Sequence, residues 1–394
     1  MKALALFSGG CDSLISMKLL TMQGIEVIAL HFNIGFGGNK DKLEYLRNAS
    51  AQVGARLEVV DIRKQFFDEV LFTPKYGYGK YFNPCIDCHA NMFANAFYLL
   101  ESFGASFVVS GEVLGQRPKS QRKQALDQVR SLVREVGKKD IERKNSEGVG
   151  DRFGERLGKE FGRGFSGRFD KILDTKGDGV NKPKSLDELL LRPMSAKLLP
   201  PSFPERAGWV DREKLLDISG RGRTRQLEMV KKWGWKYYEN PGGGCLLTDI
   251  SVAKKLKDLS THRKMLLQDS TIVKVGRYMV LPNGARAIIG RNESENTKLN
   301  EPNPAMEKII LLESIGPLGL VEKDASKDDK ILAARITLGY AKNDKNAQNK
   351  EKNNNEISPP QNQTQITQKV KIGEEIYEIL PYPKEKAREF LLLK

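Results

Sequence analysis

Two groups of residues in this 394-residue chain have the types and spacing that do chemistry. The first is Ser8-Gly9-Gly10-Cys11-Asp12-Ser13, set between an apolar run at 3–7 and a segment with helical spacing that begins at Leu14. Glycines let a backbone turn sharply and bring N–H groups to an anion, and a helix N-terminus adds about half a positive charge. The Ser8 and Ser13 hydroxyls can donate to phosphate oxygens, and the Asp12 carboxylate can hold Mg²⁺ directly or through water. No lysine stands in the Walker arrangement, so this phosphate site is of another kind. The bland reading of the same residues is a Gly-rich strand-to-helix turn with a serine cap.

The second group is the Cys85-x-x-Cys88 pair with the distant Cys245, which follows Gly242, Gly243 and Gly244. Four cysteines are too few for a disulfide framework in so long a chain, and grouped thiols in a reducing compartment point to metal or sulfur chemistry. Three thiolates suit a [4Fe-4S] cluster with one iron left open for hydrosulfide. Two suffice for a persulfide relay, in which one cysteine carries sulfur and the other releases it as a disulfide forms. Structural zinc needs a fourth ligand; His89 adjoins Cys88 but more readily begins the following helix. Cys11, inside the glycine loop, is expected to pack. His31 either lines a pocket or is satisfied in place, His262 is expected at the surface, and three unclustered histidines make a His-based catalytic engine a poor reading.

These residues are positioned by short apolar runs alternating with helical stretches. Strands are predicted at 3–7, 25–32, 57–60 and 107–110, with helices from Leu14, at 40–53 and at 90–103 between them. That alternation predicts an α/β fold with a doubly wound parallel sheet, in which ligands bind beyond the C-terminal strand ends. The expected order is a nucleotide domain at 1–136, a flexible Gly/Arg/Lys-rich insertion at 137–184, and a second part of the catalytic unit at 185–268 with a helical stretch at 212–233. A small C-terminal domain follows at 272–394. Within it, Pro282-Asn283-Gly284 marks a hairpin between 272–281 and 285–290, further strand-like runs lie at 330–341 and 370–380, and the Asn/Gln-rich tract 343–368 reads as a disordered loop.

Lys and Arg exceed Asp and Glu by 65 − 50 = 15, enough for a positive surface that favours polyanionic partners. Arg117, Lys119 and Arg122 beside the pocket, and Arg221 and Arg223 further on, are candidate RNA contacts; a solvated basic face is the alternative. No window approaches the length of a membrane helix and no signal-peptide pattern is present, so a soluble, cytoplasmic protein is expected, of open oligomeric state.

The motif SGGxDS at a strand end resembles the signature of the PP-loop, or N-type, ATP pyrophosphatases, which have an adenine-nucleotide-hydrolase-like fold and cleave ATP between the α and β phosphates. The resemblance implies ATP at Ser8, Gly9, Gly10, Asp12 and Ser13, with adenine against Ala29, Leu30, His31 and Phe32. Asn83-Pro84-Cys85-Ile86-Asp87-Cys88 is similar to the NPCxxC segment of tRNA-specific 2-thiouridylases. Ser110-Gly111-Glu112-Val113-Leu114-Gly115-Gln116, followed by Ser120-Gln121, resembles the corresponding stretch of tRNA 4-thiouridine synthetases, and implies Ser110, Gly111 and Gln116 in the ATP site. Ile289-Gly290-Arg291-Asn292 resembles the NFACT RNA-binding domain, which implies RNA contacts at Arg291 and Asn292. Such a domain would serve as the tRNA grip in place of the THUMP domain of full-length 4-thiouridine synthetases.

Taken together, the sequence implies an ATP-dependent tRNA sulfurtransferase that adenylates a uridine carbonyl and replaces its oxygen with sulfur at Cys85, Cys88 and Cys245, with Asp12 holding magnesium. Its partners would be tRNA and a sulfur donor, either a cysteine desulfurase or inorganic sulfide. Rival readings are a PP-loop amide-forming ligase acting on a small adenylated acid, which needs no grouped cysteines, and a non-catalytic RNA-binding protein with a degenerate loop.

Overall fold

A computed structural model describes residues 1–37, 42–145, 182–239, 244–341 and 367–393. Two compact units divide the chain, Met1–Thr248 and Asp249–Lys394. The division falls ahead of the helix at Ile250–His262, earlier than the expected boundary at 268.

In the first unit, β1 (Lys2–Leu6), β2 (Glu26–Asn33), β3 (Arg56–Asp61), β4 (Phe107–Val109) and β5 (Leu190–Leu191) form one parallel sheet in the order β3-β2-β1-β4-β5. Strands covered on both faces need near-continuous apolar sequence, and the central ones have it: Ala3, Leu4, Ala5, Val27 to Leu30 and Phe107 to Val109 are buried. Register pairs Ala5 with Ala29 on one side and with Val109 on the other. The longer helices among the described residues of this unit are α1 (Cys11–Thr21), α2 (Leu43–Ala51), α3 (Cys85–Leu99), α4 (Lys123–Asn145) and α5 (Thr224–Lys232). The strand order reverses direction at β1, so the loops after β1 and β4 open a crevice between them at the C-terminal sheet edge.

Three expectations are corrected in this unit. Helix α3 starts at Cys85, which puts Cys85 and Cys88 in its first turn, ahead of the helix start predicted at residue 90. Helix α4 runs to Asn145, into the stretch read as a flexible insertion from residue 137; the rest of that insertion, 146–181, lies outside the described residues. The long helix predicted at 212–233 is confined to α5, because Gly220, at φ +81°, turns the chain just before it.

The second unit is built on six antiparallel strands in the order β11-β10-β8-β9-β7-β6: β6 (Arg277–Val280), β7 (Arg286–Ile289), β8 (Met306–Leu311), β9 (Gly319–Glu322), β10 (Gln368–Ile372) and β11 (Glu375–Ile379). The Asn-Gly hairpin between β6 and β7 forms as predicted, with Gly284 at φ +92°. Its longer helices among the described residues are α6 (Ile250–His262), α7 (Glu293–Leu299) and α8 (Lys327–Gly339). Helix α8 overturns the strand expected at 330–341. Ser326 Oγ caps it by accepting from the Asp329 amide, Asp328 and Asp329 occupy its first turn, and Ala333, Ala334 and Leu338 bury one face. The β-branched Ile331, Ile336 and Thr337 suggested a strand, and capping and face-wise burial outweigh that preference. Most of the Asn/Gln-rich tract, 342–366, lies outside the described residues. Among the described residues no helix is long and apolar enough to cross a membrane.

Candidate functional site

The loop Ser8 to Gly10 leaves the end of β1, and α1 begins directly after Gly10. Gly9 takes φ +91°, a conformation that L side chains rarely adopt, and its carbonyl accepts from Tyr45 Oη at 3.1 Å and from the Glu239 amide at 3.0 Å. Lys42 closes this side by pairing with the Glu239 carboxylate. The loop is thus held rigid from behind while its other face opens on a cavity of about 180 Å³. Ser8, Gly10, Asp12 and Ser13 line that cavity together with Leu30, His31 and Phe32 from β2 and with Ser110 and Gly111 after β4. Ala29 is fully buried in the sheet and does not reach the cavity.

Polar contacts fix the loop's chemistry. Ser13 Oγ donates to the Gly10 carbonyl at 2.8 Å. Asp12 Oδ2 accepts from Gln116 Nε2 at 2.5 Å, and Gln116 Oε1 in turn accepts from Gln226 Nε2 at 3.2 Å. Two residues from different chain segments therefore orient the one carboxylate of the loop. His31 Nδ1–H donates to the Phe7 carbonyl at 3.0 Å, and burial pushes its pKa below the ordinary histidine value, so it stays neutral near neutral pH. Cys11 points into an apolar cluster with Ile15, Val113, Met194, Ile218 and Val230, and burial with the neighbouring Asp12 pushes its thiol up to about 12.

The three grouped cysteines lie within electrostatic reach of one another. Cys88 is pushed well up first by burial, then by Cys245 and Cys85; Cys245 is raised by burial and by Cys85. Cys85 Sγ accepts from Asn83 Nδ2 at 3.0 Å, and Asn83 Oδ1 accepts from the Tyr81 amide, so the segment before α3 is itself pinned. Asp87 holds the preceding turn by accepting from the amides of Lys75 and Tyr76. On the other side, the Leu246 amide donates to the Phe36 carbonyl at 2.8 Å, tying Cys245 to the chain just past β2. Gly242 and Gly243 lie outside the described residues. Among the described residues no three His, Cys, Asp or Glu side chains are gathered closely enough to hold a metal ion. The donor set has the chemistry for a [4Fe-4S] cluster, but as it stands it is not drawn up around one point.

One cluster at the cavity joins residues that the sequence analysis left apart. Glu112 is almost fully buried, and accepts from His89 Nδ1 at 2.8 Å and from Arg192 Nε at 2.8 Å. Burial opposes its ionisation, but the Arg192 guanidinium and His89 overcome that and hold the carboxyl at about 2. His89 and Glu112 line the cavity, which joins the first turns of α3, the β4 loop and the Arg192-Pro193-Met194 segment in one ionic unit. Glutamate inside the SGEVLGQ stretch was a visible signal; its pairing with a histidine and an arginine 23 and 80 positions away was not.

Of the basic candidates, Arg117 lines the cavity, while Lys119 donates to the Tyr76 carbonyl at 3.4 Å. Arg221 and Arg223 follow Gly220, whose amide bonds the Leu114 carbonyl, so they flank the stretch from Leu114 to Gln116, and Arg223 acts electrostatically on Cys11. Arg122 precedes α4 as an exposed residue. In the second unit Arg291 Nη2 donates to the Gly276 carbonyl at 2.9 Å, and Asn292 caps α7 by accepting from the Glu295 amide at 3.0 Å. The Asn292 oxygen is therefore spent on the helix end.

Residues 1–136 match the family model of the tRNA methyl transferase HUP domain, and residues 276–377 match that of the NFACT protein RNA binding domain. The tRNA-specific 2-thiouridylase MnmA 2 of Fusobacterium nucleatum is 36% identical over 107 residues, 26% of this chain and 31% of that protein. A Thermococcus kodakarensis protein named "Probable tRNA sulfurtransferase" is 33% identical over 121 residues, 29% of this chain and 30% of that one. The chain thus spans about a third of the length of the curated relatives it matches. A solved 4-thiouridine synthetase–RNA complex with bound ATP aligns at 24% identity and a TM-score of 0.29 over 33% of this chain and 34% of that one, too slight a likeness to add to the fold. The chain is thus similar over residues 1–136 to the tRNA methyl transferase HUP domain and to part of the tRNA thiouridylases, and over residues 276–377 to the NFACT protein RNA binding domain.

Proposed function

We propose that this protein is an ATP-dependent tRNA thiouridine synthase. The observation that carries the reading is that Cys85 and Cys88, in the first turn of α3, and Cys245, whose neighbour Leu246 is bonded to Phe36 just past β2, lie in the unit that also carries the phosphate loop. An amide-forming ligase has no use for such a group, and a degenerate loop has no need of an oriented Asp12. Names of the relatives, thiouridylase and sulfurtransferase, point the same way.

In this reading the loop amides and the Ser8 and Ser13 hydroxyls hold the phosphates of ATP, and Leu30 to Phe32 take the base. Asp12, fixed by Gln116, is the residue to hold Mg²⁺, which when bound neutralises phosphate charge. A uridine carbonyl oxygen attacks the α-phosphate and pyrophosphate leaves. Activation is needed because that oxygen is a very poor leaving group, whereas AMP departs readily. Arg117, at the cavity, is placed to offset charge developing on the α-phosphate. Hydrosulfide at the cysteine site then attacks the activated carbon and AMP leaves. It is supplied as inorganic sulfide, or is released from a cysteine persulfide loaded by a desulfurase when a second cysteine attacks that persulfide and a disulfide forms. Arg122, Arg221 and Arg223 in the first unit, and the second unit as a whole, are the surfaces assigned to tRNA.

Cys85, Cys88 and Cys245 are the residues that would hold a [4Fe-4S] cluster. The decisive experiment is anaerobic purification with iron, sulfide and zinc analysis, alongside mass spectrometry of nucleosides from tRNA incubated with ATP and sulfide. Appearance of 2-thiouridine or 4-thiouridine, lost in Cys245→Ser, supports the reading; unmodified tRNA together with ATP-dependent amide formation overturns it. Iron-free protein that thiolates tRNA excludes the cluster.

A further inference from the structure

The second unit contains a cavity that the proposed reaction does not use. It measures about 280 Å³ and is lined by Lys255 from α6, Arg277 from β6, Arg291, Tyr340, and Lys384 and Arg388 near the end of the chain. Five cations thus face one space. The carboxylates that act on Lys255 are Glu295 and Asp249, and both are already engaged. Glu295 Oε2 accepts from the amides of Gly276 and Arg291, and Asp249 Oδ1 caps α6 by accepting from Ser251 and Val252.

Lys255 is the telling residue. It is only 3% exposed, and among the described residues its ammonium reaches a single acceptor, the Gly276 carbonyl at 3.3 Å, which also accepts from Arg291. Burial and the Arg291 charge push its pKa down to about 8. An unpaired buried ammonium is costly, and an anion in the cavity would offset that cost. Tyr340 does not serve as a free stacking platform, because the Arg277 guanidinium lies 4.1 Å and the Lys384 ammonium 5.4 Å from its ring centroid. The space therefore suits a compact oxyanion better than a base. Arg277, Arg291 and Tyr340 all fall within the stretch that matches the NFACT RNA binding domain.

We propose that this cavity is a binding site for a phosphate group of an RNA chain. The assignment goes beyond the thiolation reading and stands without it. Isothermal titration of the full-length protein with inorganic phosphate tests it, comparing wild type with Lys255→Met and with the double variant Lys384→Ala/Arg388→Ala, whose side chains are exposed. Phosphate held by the PP-loop is common to all three proteins and cancels in the comparison. At least tenfold weaker binding is expected for one binding event in both variants, with Lys255→Met folded and at least as heat-stable as wild type. The same titration with a 5′-phosphorylated and a 5′-hydroxyl RNA tetranucleotide separates the sources: a preference for the phosphorylated one assigns a chain terminus, and equal binding an internal phosphodiester. In either case binding must weaken in Lys255→Met. Isotherms for phosphate and both tetranucleotides that superimpose on wild type in both variants overturn the proposal.

Discussion

The backbone of Gly111 packs so tightly against the first turn of α1 that a Cβ there would lie 2.6 Å from the amide nitrogen of Ser13. The loop after β4 and the loop after β1 are thereby locked together across the point where the strand order reverses, and both line the same cavity. Gly111→Ala must push the two apart. A displacement of about 1 Å at a reacting site costs on the order of 100-fold. Pyrophosphate exchange into ATP should fall by about that factor in Gly111→Ala, while circular dichroism stays that of wild type; exchange at the wild-type rate would contradict the site.

Gln116 acts through Asp12. Its amide donates at 2.5 Å to the Asp12 carboxylate and is itself held by Gln226. Partners of this kind are worth roughly 10- to 100-fold in metal affinity. In the proposed reaction, where Asp12 holds Mg²⁺, Gln116→Leu should therefore raise the Mg²⁺ concentration needed for half-maximal exchange by about tenfold and be rescued by excess Mg²⁺. Asp12→Ala should not be rescued.

Replacing Cys85, Cys88 or Cys245 by Ser should abolish thiolation yet leave pyrophosphate exchange within about twofold of wild type, because in the proposed reaction sulfur enters after adenylation. Cys11→Ala supplies the contrast. That thiol packs in an apolar cluster, so its loss should cost about 1 kcal/mol in urea melts and leave thiolation in place.

Glu112 links pH to stability. Its carboxyl is depressed from 4.5 to about 2, so the stabilisation it contributes is fully present above pH 4.5 and is lost as pH falls from there toward 2. The depression corresponds to on the order of 3 kcal/mol. Wild-type unfolding free energy should drop across this window, and Glu112→Gln should show a flatter profile from a lower plateau, because Arg192 is left buried without its carboxylate. A wild-type curve that stays flat between pH 5 and 3 would remove Glu112 as the ionic anchor of the site.

By itself the sequence was enough for the local features. Continuous apolar runs suit strands buried on both faces, Ser8-Gly9-Gly10 before a helix makes a tight strand-to-helix turn, and Asn283-Gly284 makes a tight hairpin, because each depends on neighbours within a few residues. It was misleading where local preference and packing disagree, as in the β-branched stretch that caps itself and folds as α8. Only the tertiary structure could decide which distant side chains meet. Cys245 is tied to the chain just past β2 because Leu246 bonds to Phe36, and Glu112 gathers His89 and Arg192 because β4, α3 and the segment after β5 converge at one sheet edge. Charges and thiols act through space, and sequence separation carries no measure of that distance.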